Sequence, residues 1–351
     1  MNDQDDTLGT RRAAARRSQG QIVVARALWY VKAGVAELRT ERLNPPRGDE
    51  VRVATRYSAL SRGTERLVSL GEVPQSEWSR MRAPMQSGEF PFPVKYGYSA
   101  TGVVTAGAET LIGQRVFALH PHQDHFQVSA NAVVALPDSV SDKRATLAAN
   151  METALNAHWD AGTAPGDKIL VVGAGILGLL TAYLARRIAG ADVTLTDIDG
   201  SRAALAASLG IPFVPLRDVR DDNQIVFHTS ATGAGLQTAL DGAGFEGRII
   251  DLSWYGTRPI SINLGGAYHS RRLQLISSQV GHVSPRQRAT TSHRARLIKA
   301  ISFLDDPDLD VLVSDEIGFD DLAVALPRIW SGVEGSLPPV IRYLADERIA
   351  P

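Results

Sequence analysis

The segment 173–178 is the part of the sequence whose residue types and spacing most directly indicate chemistry. It reads Gly-Ala-Gly-Ile-Leu-Gly and lies between a short β-branched run and an apolar, alanine-rich segment, 177–188, with the composition of a helix. In a strand–turn–helix of this kind, Gly173 permits the tight turn and Gly175 lets the backbone approach a pyrophosphate. Gly178 lets the helix pack closely on the strand.

The helix start and the next strand complete a dinucleotide-binding pattern. Ile176 and Leu177 open the helix, whose free N–H groups and positive end suit phosphate. Asp197 closes the following apolar run, where it would accept hydrogen bonds from the adenosine ribose and repel a 2′-phosphate. We therefore predict that NAD is the cofactor, in preference to NADP. The alternative is a buried strand–turn–helix that binds no ligand.

The composition limits the kinds of protein that this chain resembles. The chain has 351 residues with a formal net charge of -1, 44% hydrophobic and 21% charged residues, and no cysteine. Such a length favours two domains, and the charge balance argues against a nucleic-acid or membrane partner. Without cysteine, disulfides and thiolate-bound zinc are excluded. We expect a disordered tail over residues 1–20 and a cytoplasmic location.

The hydrophobic pattern changes along the chain from strands and turns to alternating strands and helices. Alternation of strands with helices is typical of a parallel sheet. Two helices and a last strand would follow, the second helix kinked or cut short near Pro327. The expected ranges are strands over 22–30, 50–58, 98–106 and 114–119, a helix over 142–161, strands over 168–172, 191–197, 225–228, 247–252 and 273–277, helices over 293–304 and 320–329, and a strand over 339–344.

Four segments carry a resemblance to the medium-chain dehydrogenase/reductase superfamily. They are Gly-Tyr-Ser-Ala-Thr-Gly-Val-Val at 97–104, Gly-Gln-Arg-Val-Phe-Ala at 113–118, Gly-Asp-Lys-Ile-Leu-Val at 166–171 and Gly-Arg-Ile-Ile at 247–250. The resemblance implies an α/β fold with a GroES-like β-rich catalytic domain and a Rossmann domain with a doubly wound parallel sheet. The implied boundaries are 21–149 with 305–351 for the first domain and 150–304 for the second. It also implies a substrate pocket between the domains and a homodimer joined through sheet edges.

The metal positions of that superfamily depart from its zinc-dependent pattern. In this sequence Ser61 and Tyr98 stand where a cysteine and a histidine would bind zinc, and only Glu152 could still be a ligand. A hydroxyl and a phenol are weak donors toward Zn²⁺. We therefore predict a zinc-less member with no metal site, similar to the branch that contains bacteriochlorophyllide dehydrogenase.

Hydride transfer without zinc requires another group to polarise the substrate oxygen. Tyr98 is our first candidate, with Ser61 and Thr64 as further donors. Lys95 would lower the pKa of Tyr98 if the loop brought the two together. Otherwise Tyr98 forms a half-buried pocket wall.

Glu152 is the candidate general acid or base, because burial beside a nicotinamide would raise its pKa. The alternative for Glu152 is an ion pair with Lys95 or Arg62. Asn156, four residues after Glu152, would face the same way and bind the nicotinamide carboxamide.

Arg62 and Ser278 are further candidates for cofactor contacts. The resemblance places Arg62 on the cofactor pyrophosphate, a role that suits a guanidinium, whereas the alternative is a surface salt bridge with Glu65 or Glu37. Ser278 ends a predicted parallel strand and would lie near the nicotinamide.

The run 120–125, His-Pro-His-Gln-Asp-His, is a second cluster of potential ligands. A loop could gather His120, His122 and His125 around a metal, but a polar loop with hydrogen-bonded imidazoles is the interpretation we favour.

The sequence thus predicts a zinc-independent, NAD(H)-linked dehydrogenase that interconverts an alcohol and a carbonyl on a small or mid-sized substrate. Two alternatives remain open. One is a zinc-less quinone or enoyl reductase, although such proteins usually prefer NADPH. The other is a dinucleotide-binding sensor that has lost catalysis.

Overall fold

A computed structural model of the protein describes residues 20–332 and 337–344. The described chain divides into two compact units. Unit 1 comprises residues 20–147, 313–332 and 338–344, and unit 2 comprises residues 148–312 with Leu337. The expected disordered tail lies outside the described residues, apart from Gly20.

Unit 1 consists mainly of strands that form two sheets. Its strands are β1 (Val23–Lys32), β2 (Val35–Leu43), β3 (Glu50–Ala59), β4 (Ser87–Gly88), β5 (Val94–Lys95), β6 (Ala100–Gly107), β7 (Arg115–Ala118), β8 (His125–Ser129), β9 (Val133–Ala135), β15 (Glu316–Gly318) and β16 (Val340–Arg342). One sheet has the order β2-β1-β5-β4, and the other has the order β15-β16-β3-β6-β7-β9 with β8 paired to β3. Three helices belong to this unit, α1 (Arg62–Leu70), α2 (Asp142–Ala145) and α9 (Leu322–Ser331).

Unit 2 contains a parallel sheet of five strands. The strands are β10 (Lys168–Val172), β11 (Asp192–Thr196), β12 (Asn223–His228), β13 (Ala243–Asp251) and β14 (Gln274–Ser277), in the order β11-β10-β12-β13-β14. Its helices are α3 (Ala148–Ala161), α4 (Ile176–Ala185), α5 (Arg202–Ser208), α6 (Gly233–Asp241), α7 (Ala267–Ser270) and α8 (His293–Ser302). The predicted α/β fold with a doubly wound parallel sheet is confirmed.

The strand order of unit 2 places a ligand crevice at the end of β10. From β10 the chain passes first to β11 on one side and later to β12 on the other. Open α/β sheets bind ligands outside the carboxyl ends of their strands, at the point where the strand order reverses. The turn after Val172 and the end of β11 lie at this point.

Two helix predictions differ from the structure. The helix expected over 142–161 is divided into α2 and α3. The second helix was expected to be kinked or cut short near Pro327, and it is not cut short, since α9 runs through that proline to Ser331. A proline inside a helix removes one backbone hydrogen bond, but burial of Leu322, Leu326, Ile329 and Trp330 on one face of α9 keeps the helix in place.

Across residues 20–332 and 337–344, the structure has no helix long and apolar enough to cross a membrane.

Candidate functional site

The glycines of the turn after β10 have distinct steric surroundings. Gly173 has φ 109°, which a residue with a Cβ rarely adopts. A Cβ on Gly178 would lie 1.8 Å from the carbonyl oxygen of Gly173. A Cβ on Gly175 would meet no atom within 4 Å. Gly173 and Gly178 are therefore required by the protein's own packing, whereas Gly175 borders open space.

Helix α4 begins directly at this open space. Gly175 is its N-cap, and Leu179 N–H donates to the Gly175 carbonyl at 2.9 Å. Ile176, Leu177 and Gly178 form the first turn, whose N–H groups have no partner within the helix. Three donors and the positive end of a helix of ten residues make this turn suitable for a pyrophosphate.

Asp197 follows β11 and is fixed by two backbone groups. Its Oδ2 accepts from Ala174 N–H at 2.6 Å, and its Oδ1 accepts from Asp199 N–H at 2.9 Å. Each carboxylate oxygen can accept a second hydrogen bond. The carboxylate thus stabilises the glycine turn and keeps acceptor capacity that a ribose diol can use.

Tyr98, Ser61 and Thr64 form a cluster of hydroxyls in unit 1. Ser61 precedes α1, Thr64 lies in its first turn, and Tyr98 precedes β6. The Ser61 and Thr64 side chains hydrogen-bond to the Tyr98 hydroxyl, which is half-buried. Burial and the nearby Glu65 carboxylate raise the pKa of Tyr98 to about 12, although the two hydrogen bonds lower it. Tyr98 is therefore protonated near neutral pH and can act as a hydrogen-bond donor.

The buried carboxylate of Glu65 contacts this cluster through Ser61. Its Oε1 accepts from Ser61 N–H at 2.8 Å, and its Oε2 accepts from Tyr30 O–H at 3.2 Å. The same Oε2 lies 2.8 Å from His122 Nε2, and both side chains are fully buried. Sequence reasoning considered Glu65 only as a salt-bridge partner. The sequence feature that could have pointed to contact with the hydroxyl cluster is that Glu65 directly follows Thr64 in the first turn of α1.

His122 extends the network to the last strand of unit 1. Its Nδ1 lies 2.8 Å from Ser58 Oγ, which in turn lies 2.9 Å from the Tyr343 hydroxyl. Because Nε2 donates to the Glu65 carboxylate, Nδ1 of a neutral ring accepts from Ser58. Through Glu65, these hydrogen bonds connect Ser61 to β1, to the end of β3, to the loop before β8 and to the residue after β16.

Lys95 does not act on Tyr98, contrary to the sequence-based expectation. Its Nζ lies 2.8 Å from Glu41 Oε1 and 2.9 Å from Gln123 Oε1. Lys95 is a residue of β5, so its ammonium is directed to β2 and the loop before β8. A nearby Lys95 ammonium would lower the pKa of Tyr98, but that pKa is raised.

Glu152 forms an ion pair, but with a residue that the sequence did not suggest. Arg296 Nε donates to Glu152 Oε1 at 3.0 Å, and both side chains are almost fully buried. The expected partners were Lys95 and Arg62. Burial raises the pKa of Glu152, while Arg296 lowers it. The helical pattern of residues 293–304 gave no indication that Arg296 would turn inward.

Asn156 is fully engaged next to this pair. Its Oδ1 accepts from Arg296 Nη1 at 2.6 Å and from Ser284 N–H at 3.0 Å, and its Nδ2 donates to Asp160 Oδ2 at 3.1 Å. The Ser278 hydroxyl donates to the same Asp160 oxygen at 2.7 Å. These contacts give Asn156 and Ser278 structural roles within unit 2.

Arg62 is the first residue of α1 and is half-buried. The two carboxylates proposed as its alternative partners contact other residues. Glu65 belongs to the buried network, and Glu37 pairs with Arg39 at 2.6 Å.

Another buried histidine, His228, is the last residue of β12, and sequence reasoning missed it. His228 Nδ1 donates to Asp251 Oδ1 at 2.9 Å, and Nε2 lies 2.8 Å from Ser230 Oγ. Tyr255 O–H donates to Asp251 Oδ2 at 3.0 Å. Burial would raise the pKa of Asp251, but hydrogen bonds from His228 and Ser253 hold it below its ordinary value. The network ties together two loops beside the glycine turn.

The three histidines of 120–125 have separate surroundings. His122 lies in the Glu65 network, and His120 Nδ1 contacts the Pro121 carbonyl at 2.9 Å. His125 Nδ1 is 3.5 Å from Asp124. In the described ranges, no group of three His, Cys, Asp or Glu residues is arranged to hold a metal ion. Ser61 and Tyr98 offer only a hydroxyl and a phenol, which are weak donors toward zinc. Glu152 is already bonded to Arg296.

Comparison with curated proteins shows local sequence similarity to dehydrogenases. No protein-family model matches the sequence. Sorbitol dehydrogenase of Bos taurus is 33% identical over 89 residues, which is 25% of this chain and 25% of the relative. L-threonine 3-dehydrogenase of Mesorhizobium japonicum is 24% identical over 221 residues, covering 61% of this chain and 62% of the relative. The chain thus matches about a quarter of the length of the first of these relatives.

Solved structures match over nearly the whole chain. An alcohol dehydrogenase of Escherichia coli CFT073, described as short-chain and complexed with NADH, has a TM-score of 0.71 at 14% identity and covers 91% of this chain and 99% of its own. A zinc-binding dehydrogenase of Sinorhizobium meliloti 1021 bound to NADP has a TM-score of 0.69 at 15% identity, with 92% and 100% covered. These solved structures share the fold of this chain, and the curated relatives share local sequence similarity with it.

Proposed function

We propose that the protein is an NAD(H)-linked oxidoreductase that interconverts an alcohol and a carbonyl on a small or mid-sized organic molecule without zinc. The hydroxyl cluster of Tyr98, Ser61 and Thr64 carries this proposal. It occupies the segments in which the superfamily pattern places metal ligands, and it supplies hydrogen-bond donors in their place. Sequence similarity to named dehydrogenases supports the reaction class.

The residues of unit 2 fit a nicotinamide dinucleotide. The open side of Gly175 and the N–H groups of Ile176, Leu177 and Gly178 would hold the pyrophosphate. When bound, the cofactor supplies or accepts the hydride.

Asp197 supports NAD as the preferred cofactor. Its carboxylate is held by Ala174 and Asp199 N–H groups at the end of β11. A 2′-phosphate at that position would meet a fixed negative charge. A free Arg202 guanidinium would attract a 2′-phosphate, but it lies 3.4 Å from the Asp199 carboxylate, which offsets part of its charge.

Tyr98 would donate its proton to the substrate oxygen in a hydrogen bond that strengthens as negative charge develops there. In this proposal Ser61 and Thr64 donate to the phenol oxygen of Tyr98. That arrangement leaves the Tyr98 O–H free to point at a ligand. Glu65 fixes the position of Ser61 and acts through it.

Tyr98→Phe tests the proposal, because it keeps the ring and removes the hydroxyl. With a substrate found by screening alcohols and carbonyls against NADH absorbance, we expect kcat to fall by about 10²–10³-fold, the usual loss when one oxyanion donor is removed. NADH affinity should stay unchanged. Tyr96→Phe is the matched control, since Tyr96 is a buried neighbouring ring 6.1 Å from Tyr98.

Turnover of Tyr98→Phe near the wild-type rate would exclude Tyr98 as the donor. NADH binding by the wild type without turnover of any alcohol or carbonyl would contradict the oxidoreductase and favour a dinucleotide sensor.

We also propose that two copies of the chain associate through unit 2. Strand β14 ends the five-stranded sheet and pairs only with β13 within the described residues. Leu275 on β14 and Phe245 on β13 are exposed to 39% and 70%. An exposed edge strand with apolar side chains is a template for pairing with another chain.

A further inference from the structure

Unit 1 contains a cavity whose lining residues differ from those of the Tyr98 cluster. Its volume is about 340 Å³. Strand β2, the segment 84–87 and strand β8 provide most of its walls. Pockets of about 300–1,000 Å³ are the usual size for small-molecule sites, so the cavity suits a compact ligand.

His120 presents an acceptor at this cavity. Its Nδ1 lies 2.9 Å from the Pro121 carbonyl, which can only accept, so Nδ1 carries the ring proton. Burial lowers the pKa of His120 to about 3, and the ring is therefore neutral. Nε2 is then an unprotonated acceptor, and no described residue donates to it. The ring itself is held by stacking on Phe126, with centroids 4.0 Å apart.

Two amides in the cavity walls also have unused hydrogen-bonding atoms. Gln127 Nε2 donates to Glu50 at 2.8 Å, which fixes the amide orientation and leaves Oε1 buried without a partner. Gln86 Oε1 accepts from Ala83 N–H at 3.2 Å, which leaves Nε2 buried without a partner. Buried polar atoms nearly always have partners. Both residues line this one cavity.

The charges at the cavity are balanced. The Lys95 ammonium is paired with Glu41 at 2.8 Å and is also bonded to Gln123. With His120 neutral, the lining groups offer no unpaired charge to attract an ion. The third ammonium hydrogen of Lys95 has no acceptor in the described chain, so it adds a donor and not a net charge.

We propose that this cavity is a second small-molecule site, which binds a compact uncharged polyhydroxylated compound. A hydroxyl group both donates and accepts. One ligand hydroxyl can therefore donate to His120 Nε2 while another accepts from Lys95. The carbon backbone of the ligand would pack on Met85 and Phe126, which line the same cavity. This site does not depend on the proposed dehydrogenase activity.

Binding of myo-inositol and sorbitol to the full chain tests the proposal. Calorimetry on the wild type should show saturable binding of at least one compound. His120→Phe preserves the stack on Phe126 and removes Nε2, so it should weaken that binding at least tenfold. Gln114→Leu, an exposed amide of unit 1 outside the cavity, should leave it unchanged. The ring ¹⁵N signal of wild-type His120 Nε2 should move when the compound binds.

Tyr98→Phe separates this site from the proposed catalytic one. It should bind the polyol as the wild type does, whatever its effect on turnover. Binding that is lost in Tyr98→Phe but kept in His120→Phe would overturn the second site, as would the absence of saturable binding by both compounds. An unmoved His120 ¹⁵N signal at saturation would also contradict the proposal, even if His120→Phe fails to fold.

Discussion

At the scale of single residues, Gly178 meets a requirement of folding, whereas Gly175 meets the proposed requirement of binding. A Cβ at Gly178 collides with the protein's own backbone, whereas a Cβ at Gly175 projects into open space. Gly175 also has φ -75°, which alanine adopts without strain. The fold therefore gives no reason for glycine at position 175, and a ligand does.

Gly175→Ala should fold normally and bind NADH poorly. We expect its free energy of unfolding to change by less than about 1 kcal/mol, the usual range for a change at a helix N-cap, with NADH affinity lowered at least tenfold. Gly178→Ala should lose about 1–3 kcal/mol of stability because it overpacks the turn. Denaturant titration and fluorescence titration with NADH measure the two effects. Unchanged NADH affinity in folded Gly175→Ala would contradict pyrophosphate binding at this turn.

Sequence reasoning placed the glycine turn and Asp197 in their structural context because these residues are close together in the chain. It did not find that Glu65 contacts His122 or that Arg296 contacts Glu152. In each of these two pairs, buried polar side chains come from distant segments of the chain. A single sequence shows which side chains can ionise, but only tertiary packing decides which of them meet.

At the scale of elements, helices α3 and α8 are joined by one buried ionic contact. Arg296 on α8 bonds to Glu152 and Asn156 on α3, and two further N–H groups reach the carbonyls of Val280 and His282. The guanidinium thereby uses four of its five N–H donors, in a rigid geometry that lysine could not reproduce. The contact fixes the loop after β14 as well as the two helices.

Arg296→Met should destabilise the protein by about 3–5 kcal/mol at neutral pH, since it leaves a buried carboxylate unpaired. Burial already raises the pKa of Glu152, and Arg296 opposes this rise. Without Arg296 the folded pKa would rise further above the unfolded value. The folded state would then bind the extra proton, so the deficit should shrink as the pH falls through that raised pKa.

Urea titrations of Arg296→Met between pH 5 and 8 provide the measurement. Glu152→Gln, which retains a hydrogen-bond acceptor for Arg296, is the matched control and should lose less stability. A deficit that grows toward acidic pH would disprove the role assigned to the pair.

The elements themselves were predicted unevenly, for a physical reason. Strands β10 and β12 lie inside the parallel sheet, are almost fully buried and read as short apolar runs. All five strands of that sheet were found. Strand β2 was missed because it reads Val-Ala-Glu-Leu-Arg-Thr-Glu-Arg-Leu. Many of its side chains are partly exposed and charged, and its strand character comes from antiparallel pairing with β1.

At the scale of the whole molecule, β14 is the edge at which we expect two copies to meet. Leu275→Lys places a charge on that edge and should shift the protein toward the monomer. Val24→Lys alters an apolar residue of β1 in unit 1 that is even more exposed, and it should have no effect. Sedimentation velocity of both variants and the wild type gives the distribution of masses. A wild-type monomer, or a dimer that Leu275→Lys leaves intact, would contradict the assignment.

The chain leaves unit 1 after Leu147 and returns to it at Val313, and this interruption has a consequence during synthesis. Strand β16 pairs with β3, so Tyr57, Ser58 and Ala59 receive their partners Arg342, Ile341 and Val340 only after the whole of residues 148–312 has been made. Tyr343 reaches Ser58 equally late. Domains tend to fold as they emerge from the ribosome. Unit 2 is almost continuous in sequence, so it can finish folding before residues 340–342 are made. During that time one edge of β3 is unpaired and accessible to chaperones.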